Sequence, residues 1–212
     1  MSENITLKEN FDYDWINNNT VHHSYLIKSI EKILKKQNTS NNELLDIGCG
    51  NGLLTSKISR FFKQTTGIDL SGTGIDQAQK LNNERLNFKN MSIEEMIKSK
   101  KKFKFITSFE VIEHQYLPDI FLNQISQILE TDGVLLISTP YHGYIKNLFI
   151  NLLGKHDFHY NPLWRHGHIK FFSVKTLTQL VKNCNFKLIE KKFSGRFYPI
   201  SNSMIFLLKK DN

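Results

Sequence analysis

Apolar residues recur at helical spacing from Val21 to Lys36, where Tyr25, Leu26, Ile30, Ile33 and Leu34 share one face. A polar break, Gln37 to Asn42, precedes an apolar run at Leu44–Ile47 that reads as a strand. From there the pattern alternates. Helices are predicted near Leu53–Phe62, Gly74–Leu81, Ile93–Lys98 and Pro118–Leu129, with strands at Thr65–Ile68, Leu86–Lys89, Phe103–Phe109 and Val134–Ser138. Thr131-Asp132-Gly133 reads as a turn that ends one helix and starts the next strand. Strict alternation predicts a doubly wound α/β fold, a mostly parallel sheet with helices on both faces. After Pro140 the rhythm breaks: an aromatic and histidine-rich insertion, residues 141–172, precedes a helix at Val174–Val181. Two β-rich runs close the chain, Phe186–Phe193 and Met204–Leu208, making seven strands.

The 212 residues suit one domain, with residues 1–40 as an N-terminal helical cap and 141–172 as a lid. The net charge of +8 raises nucleic acid as a partner, but Lys outnumbers Arg 24 to 4 in a chain crowded with Asn and Ile. That is the mark of an AT-rich coding bias, because phosphate contacts usually recruit Arg as well. Nucleic acid is therefore not the expected partner, while attraction to an anionic membrane surface stays open. No signal-peptide pattern opens the chain, and no apolar run approaches the ~20 residues of a membrane span. Cys49 and Cys184 fall inside core elements and form no disulfide framework, so a reducing, cytoplasmic setting is expected.

The chemistry concentrates where the first strand ends. Asp46-Ile47-Gly48-Cys49-Gly50-Asn51-Gly52 is an acidic, glycine-spaced turn, and the second strand ends in another acid, Asp69. Strand, tight loop, helix and strand with a carboxylate at its tip is the layout of a site for an adenosine-containing cofactor. Glycines let the backbone turn sharply and approach a ligand closely, and Asp69 is placed to accept from both ribose hydroxyls. A dinucleotide loop would require glycine at Leu53; here the third glycine comes one residue early.

This D-x-G-x-G-x-G pattern resembles the first motif of class I S-adenosylmethionine-dependent methyltransferases, and the resemblance extends over roughly residues 40 to 210. It implies an antiparallel last strand. It also implies cofactor contacts from Asp46, Gly48, Cys49, Gly50, Asn51 and Gly52, then from Asp69 and Leu70. Asp46 orders the loop or meets the cofactor's amino group. Phe109 is expected against the adenosine, with Asn90, Met91 and Ser92 along the adenine edge and Glu110 beside them.

Glu110-Val111-Ile112-Glu113-His114 follows the fourth strand, at the carboxyl end where an open α/β sheet binds ligands. It is similar to the E-x-x-E-H signature of quinol-ring O-methyltransferases and their small-molecule relatives. For a hydroxyl acceptor a neutral imidazole is the natural base near pH 7. His114 leads, with Glu113 orienting it or sharing the proton and His142 in reserve. The alternative is that the Glu–His pair caps the following helix. The resemblance also implies a divalent cation such as Mg on Glu110, Glu113 and His114.

His142, His156, His159, His166 and His168 lie in the insertion at spacings that match no zinc pattern. Tyr141, Tyr144, His159, Tyr160, Trp164, Arg165 and His166 are residue types that enclose a ring or a polar head group. Ile145, Leu148, Phe149 and Leu152 form a helical stripe for which burial on the protein is expected ahead of a membrane surface. His168 to Ser173 opens the last helix in a manner similar to many small-molecule methyltransferases, with Ser173 as N-cap. Phe11, Tyr13 and Trp15 either fold over the cofactor or fix a terminal helix.

The expected activity is methyl transfer to a small molecule, at oxygen. A nucleic-acid methylase would carry an N/D-P-P-Y/F loop where Glu110–His114 stands, and Thr139-Pro140-Tyr141 is on the wrong strand. A silent cofactor-binding sensor or partner subunit is the other alternative, and a nicotinamide dehydrogenase a more distant one.

Overall fold

The computed structural model describes residues 24–164 and 166–211. Seven strands form one sheet: β1 (Glu43–Ile47), β2 (Gln64–Asp69), β3 (Leu86–Asn90), β4 (Phe103–Phe109), β5 (Leu129–Pro140), β6 (Phe186–Ser194) and β7 (Ser203–Lys210), in the order β3-β2-β1-β4-β5-β7-β6. β7 runs antiparallel to both β5 and β6, and the remaining pairs are parallel. The strand order reverses between β1 and β4, the place where ligands bind such sheets.

The strands bury alternate residues on opposite faces. From β5 and β7, Leu135, Ile137, Met204, Phe206 and Leu208 pack with α4 (Ile93–Lys98), α5 (Pro118–Ile128) and α8 (Val174–Asn183). Val134, Leu136, Ile205 and Leu207 pack on the other face with α1 (Ser24–Leu34) and α2 (Leu53–Ser59). Helix α1 buries Leu26, Ile30, Ile33 and Leu34, four of the five residues of its predicted face. Truncating such a side chain to alanine costs about 2–5 kcal/mol. Helix α3 (Gly72–Ala78) begins two residues before the predicted start because Ser71 caps it, its hydroxyl accepting from the Gly74 N–H.

Two expectations are corrected. Thr131-Asp132-Gly133 does not separate helix from strand: β5 already begins at Leu129, paired with Phe103, and its register jumps to Val134 opposite Phe105. The residues between swing out as an exposed excursion, Glu130 to Asp132, before the buried run resumes. The apolar stripe of α6 (Tyr144–Leu152) is not buried either. Leu148 is 42 % exposed, Phe149 53 % and Leu152 72 %, because none of the described elements covers that face. The insertion also holds a one-turn helix, α7 (His156–Tyr160). Phe11, Tyr13, Trp15 and Arg165 lie outside the described residues.

Candidate active site

The β1–α2 loop turns through three glycines in the left-handed region, Gly48 (φ 75), Gly50 (φ 53) and Gly52 (φ 74). Protein, not ligand, fills the space beside two of them. A Cβ on Gly48 would stand 2.4 Å from Val111 Cγ2, and one on Gly52 would stand 2.6 Å from Phe88 Cζ. The glycines are thus required by backbone conformation and by close packing together. Asp46, buried at the root of the loop, accepts from the hydroxyls of Thr55 (2.5 Å) and Thr107 (2.6 Å), tying loop, helix and β4. Burial pushes its carboxyl up to about 6.

Asp69 stands at the carboxyl end of β2. The Gly50 N–H donates to its Oδ2 (2.7 Å) and the Ser71 N–H to its Oδ1 (2.8 Å). Asn90 does not line the cleft; its Nδ2 donates to the carbonyls of Asp69 and Leu70, both at 3.0 Å, and so holds the acidic turn. Ser92 caps α4 in a reciprocal box with Glu95. Around these elements opens a cleft of about 2020 Å³. Its wall includes Asp46, Gly48, Cys49, Gly50 and Asn51, then Asp69, Leu70, Met91 and Ser92, then Phe109 and Glu110. Gly52 lies outside that wall. A pocket for one small ligand is typically ~300–1,000 Å³, so the cleft has room for a cofactor and a second molecule.

The pentapeptide after β4 is sorted by the fold. Glu110 adopts φ 55, strained for a residue with a side chain. Its N–H donates to the Ser138 carbonyl, and its carboxylate accepts from Ser138 Oγ (2.6 Å) and Ser203 Oγ (3.0 Å). Ser203 is in turn bonded to the Tyr25 hydroxyl (2.6 Å). Burial raises Glu110 to about 7 despite these bonds.

Glu113 lies in the 3₁₀ turn Ile112–His114, is 0 % exposed, and its two carboxylate oxygens make no hydrogen bond of full geometry among the described residues, the Thr139 hydroxyl being the polar side chain that approaches them. Burial first, then the neighbouring Glu110, drives its carboxyl well above the ordinary range. His114 Nε2 and His168 Nε2 each stand 4.0 Å from the same oxygen, Oε1. The chain is clamped to bring His168 there: the Ile169 and Lys170 N–H groups donate to the Glu113 carbonyl at 3.0 and 2.9 Å. Trp164 meets both imidazoles edge-on, at 6.3 and 6.0 Å between ring centres.

Among the described residues, the group that can present donors to one cation is Glu113, His114 and His168. Glu110 lies outside it, its oxygens engaged by the two serines, so the donor set expected from sequence is revised. In the sequence His168 reads as one of the insertion's histidines and as part of the entry to the last helix; nothing local to it signals Glu113, which is far away in sequence.

His114, His142, His159, Trp164, His166 and His168 all line the same cleft. His142 is 7 % exposed, stacked on Tyr160 at 5.7 Å and edge-on to Phe171 at 5.1 Å. Burial, with Lys146 and two other histidines nearby, lowers it to about 3. It is an imidazole held neutral, and a weaker base than its type suggests. Lys146, Arg196, Glu94 and Ser203, which the sequence did not single out, also line the cleft.

A family model described as a methyltransferase domain matches residues 20–191. The chain is 32 % identical over 179 residues to a ubiquinone biosynthesis O-methyltransferase of Pelagibacter ubique, covering 83 % of this chain and 71 % of that protein. It is 27 % identical over 183 residues to the mitochondrial ubiquinone biosynthesis O-methyltransferase of Schizosaccharomyces pombe, covering 82 % and 66 %. Among solved structures, magnesium protoporphyrin IX methyltransferase from Synechocystis with bound SAH superposes with a TM-score of 0.69 at 13 % identity, over 90 % of this chain and 84 % of that one. The last likeness concerns the fold alone, but the family match and the first relative, set on the glycine loop and Asp69, lead to one conclusion: this chain belongs to the methyltransferase-domain family and is a class I S-adenosylmethionine-dependent methyltransferase.

Proposed function

We propose that the chain methylates a hydroxyl group of a small molecule, with His114 as general base and Glu113 as its positioning residue. The observation that carries this reading is the pair of Glu113 oxygens buried without a hydrogen bond of full geometry behind His114, in the wall of the cleft that Asp69 and the glycine loop also line. The names of the relatives support a quinol-like phenol as the acceptor.

S-adenosylmethionine, when bound, supplies an electrophilic methyl group on sulfur. What remains for the protein is to align the acceptor, exclude water and take one proton. Asp69 is read as the ribose acceptor, while Gly48 to Asn51 skirt the methionine part. Leu70, Met91 and Phe109 supply the apolar walls of the adenosine. Asp46 and Asn90 order the loops, and Glu110 holds the turn. Deprotonating the acceptor makes His114 an imidazolium. An imidazolium 4.0 Å away favours the ionised form of Glu113, which burial otherwise holds neutral, so the two groups share the proton.

A divalent cation fits Glu113, His114 and His168, one carboxylate and two imidazoles. Nitrogen-rich donors favour a transition metal or zinc over magnesium. Such an ion would lower the acceptor hydroxyl's pKa in place of a base. Residues 141–172 are read as the acceptor lid over one domain spanning 1–212, with 1–40 as its helical cap. No helix among the described residues is long and apolar enough to cross a membrane. The uncovered face of α6 supports transient contact with a membrane surface by a cytoplasmic protein, as would suit a lipid-soluble acceptor.

The test is incubation with methyl-labelled S-adenosylmethionine and fractionated cell extract, with Asp69→Ala as control. Label in the lipid or small-molecule fraction, lost in the control, is expected. Label in nucleic acid would overturn the acceptor class, and cofactor binding without transfer to any fraction would favour the sensor.

A further inference from the structure

One end of the cleft gathers cations that the methyl-transfer chemistry leaves unused. Lys146, in the first turn of α6, sends Nζ to the carbonyls of Tyr141 (2.8 Å) and Asn202 (3.4 Å). An ammonium has three N–H donors, so one remains. Arg196, exposed in the β6–β7 connection, lines the same cleft. Among the described residues neither cation stands in an ion pair.

These groups are close enough to act on one another. Beyond the effect of burial, Arg196 helps to lower Lys146 to about 8, and Lys146 in turn lowers His142 and His159. Of the acids nearby, Glu110 acts on Lys146 in the opposite sense, but less than burial and Arg196 do. Glu110 is occupied by Ser138 and Ser203, Glu113 is sealed in the protein, and burial holds both toward the neutral form.

A second observation points the same way. His142 lines the cleft and is 7 % exposed, yet neither ring nitrogen makes a hydrogen bond of full geometry among the described residues, the Asn147 side chain being the polar group that approaches it. Buried polar atoms are normally satisfied, so an orphan in a ligand-sized cleft marks a place for a ligand atom. Held neutral, the ring offers one N–H. Tyr160 and Phe171 flank it with flat apolar surface.

We infer that this end of the cleft binds an anionic oxygen group of the methyl acceptor, a carboxylate or a phosphate carried on a ring, with Lys146 and Arg196 supplying the charge and His142 a hydrogen bond. The inference rests on the proposed function only in taking this end as the acceptor's. It narrows the substrate class from any hydroxylated molecule to an acidic one.

The experiment loads the protein with S-adenosylhomocysteine and titrates three probes, benzoate, phenyl phosphate and neutral benzyl alcohol, by ligand-observed NMR. At least one acid should bind roughly tenfold or more tighter than the alcohol, the size a charge-assisted hydrogen bond supplies. Tighter benzoate names a carboxylate, and tighter phenyl phosphate a phosphate. Lys146→Met should erase the preference. Arg196→Gln, at an exposed site that leaves the fold alone, should reduce it by several fold. Equal binding of acid and alcohol, no binding of any probe, or a preference untouched in both variants would overturn the inference while leaving the methyltransferase reading intact. Failure to load S-adenosylhomocysteine at all would instead count against that reading.

Discussion

The carboxylate of Asp69 joins the two loops that flank the cleft, taking the Gly50 N–H on one oxygen at 2.7 Å and the Ser71 N–H on the other at 2.8 Å. With Asp69 as the proposed ribose acceptor, cofactor affinity and loop order are linked through one side chain. Asp69→Ala should weaken S-adenosylhomocysteine binding by roughly 10²-fold or more, since charge-assisted hydrogen bonds are worth about 1.5–3 kcal/mol each. Calorimetric titration checks the loss. Asp69→Asn, which keeps one acceptor oxygen, should fall in between.

Gly48 answers to Val111. In Gly48→Ala the new methyl meets Val111 Cγ2 at 2.4 Å and the backbone must hold φ 75. A cost of about 2 kcal/mol or more is expected, seen as a lower midpoint in denaturant. Adding Val111→Ala should recover the steric part and leave the conformational part, so the double variant regains some stability but not all of it.

His142 makes the fold acid-sensitive. Its pKa is lowered from the ordinary 6.5 to about 3, so the unfolded chain takes up a proton that the native protein resists. The stability it contributes is whole above about 6.5 and drains away as pH falls toward 3, on the order of 4 kcal/mol in all. Lys146, His159 and His168 are the charges acting on it, and His159 and His168 are lowered by burial in the same direction. Asp46 and Glu110, both raised, act in the opposite sense: their contribution is whole below the ordinary carboxyl range and lost as pH rises through about 6 and 7. Comparing wild type with His142→Phe isolates the histidine. The difference between their unfolding free energies should change steadily between pH 7 and pH 4, and a flat difference would remove the effect.

The α6 face gives a prediction about surfaces. Leu148 and Leu152 are exposed and lie outside the wall of the cleft. Replacing both with Asp should abolish flotation with anionic liposomes and leave the melting temperature within a few degrees. Flotation unchanged by the double substitution would end the membrane reading.

Much of this molecule can be read in its sequence where the signal is local. The alternation of apolar runs gives the sheet, and the glycine spacing followed by Asp69 gives the cofactor loop, because turn geometry and strand ends are written in neighbouring residues. What the sequence hid depends on long-range contacts. Glu110 looks like a ligand donor until Ser138 and Ser203, from two other strands, take its oxygens. His168 looks like the start of a helix until its neighbours' N–H groups bind the Glu113 carbonyl. Periodicity marked the α6 stripe as amphipathic, but it does not say what covers an apolar face, and none of the described elements does. Gly133 carried a turn signal that an excursion inside β5 satisfies equally well.

The proposed base is His114, beside the buried Glu113. The most direct measurement is transfer of labelled methyl from S-adenosylmethionine to a hydroxylated acceptor drawn from the label-accepting fraction, by wild type and by His114→Gln, with S-adenosylhomocysteine affinity measured alongside. With His114 as the base, a labelled methyl ether is expected, with kcat lowered roughly 10²–10⁴-fold in the variant and cofactor affinity unchanged. Turnover by His114→Gln equal to wild type would contradict that role.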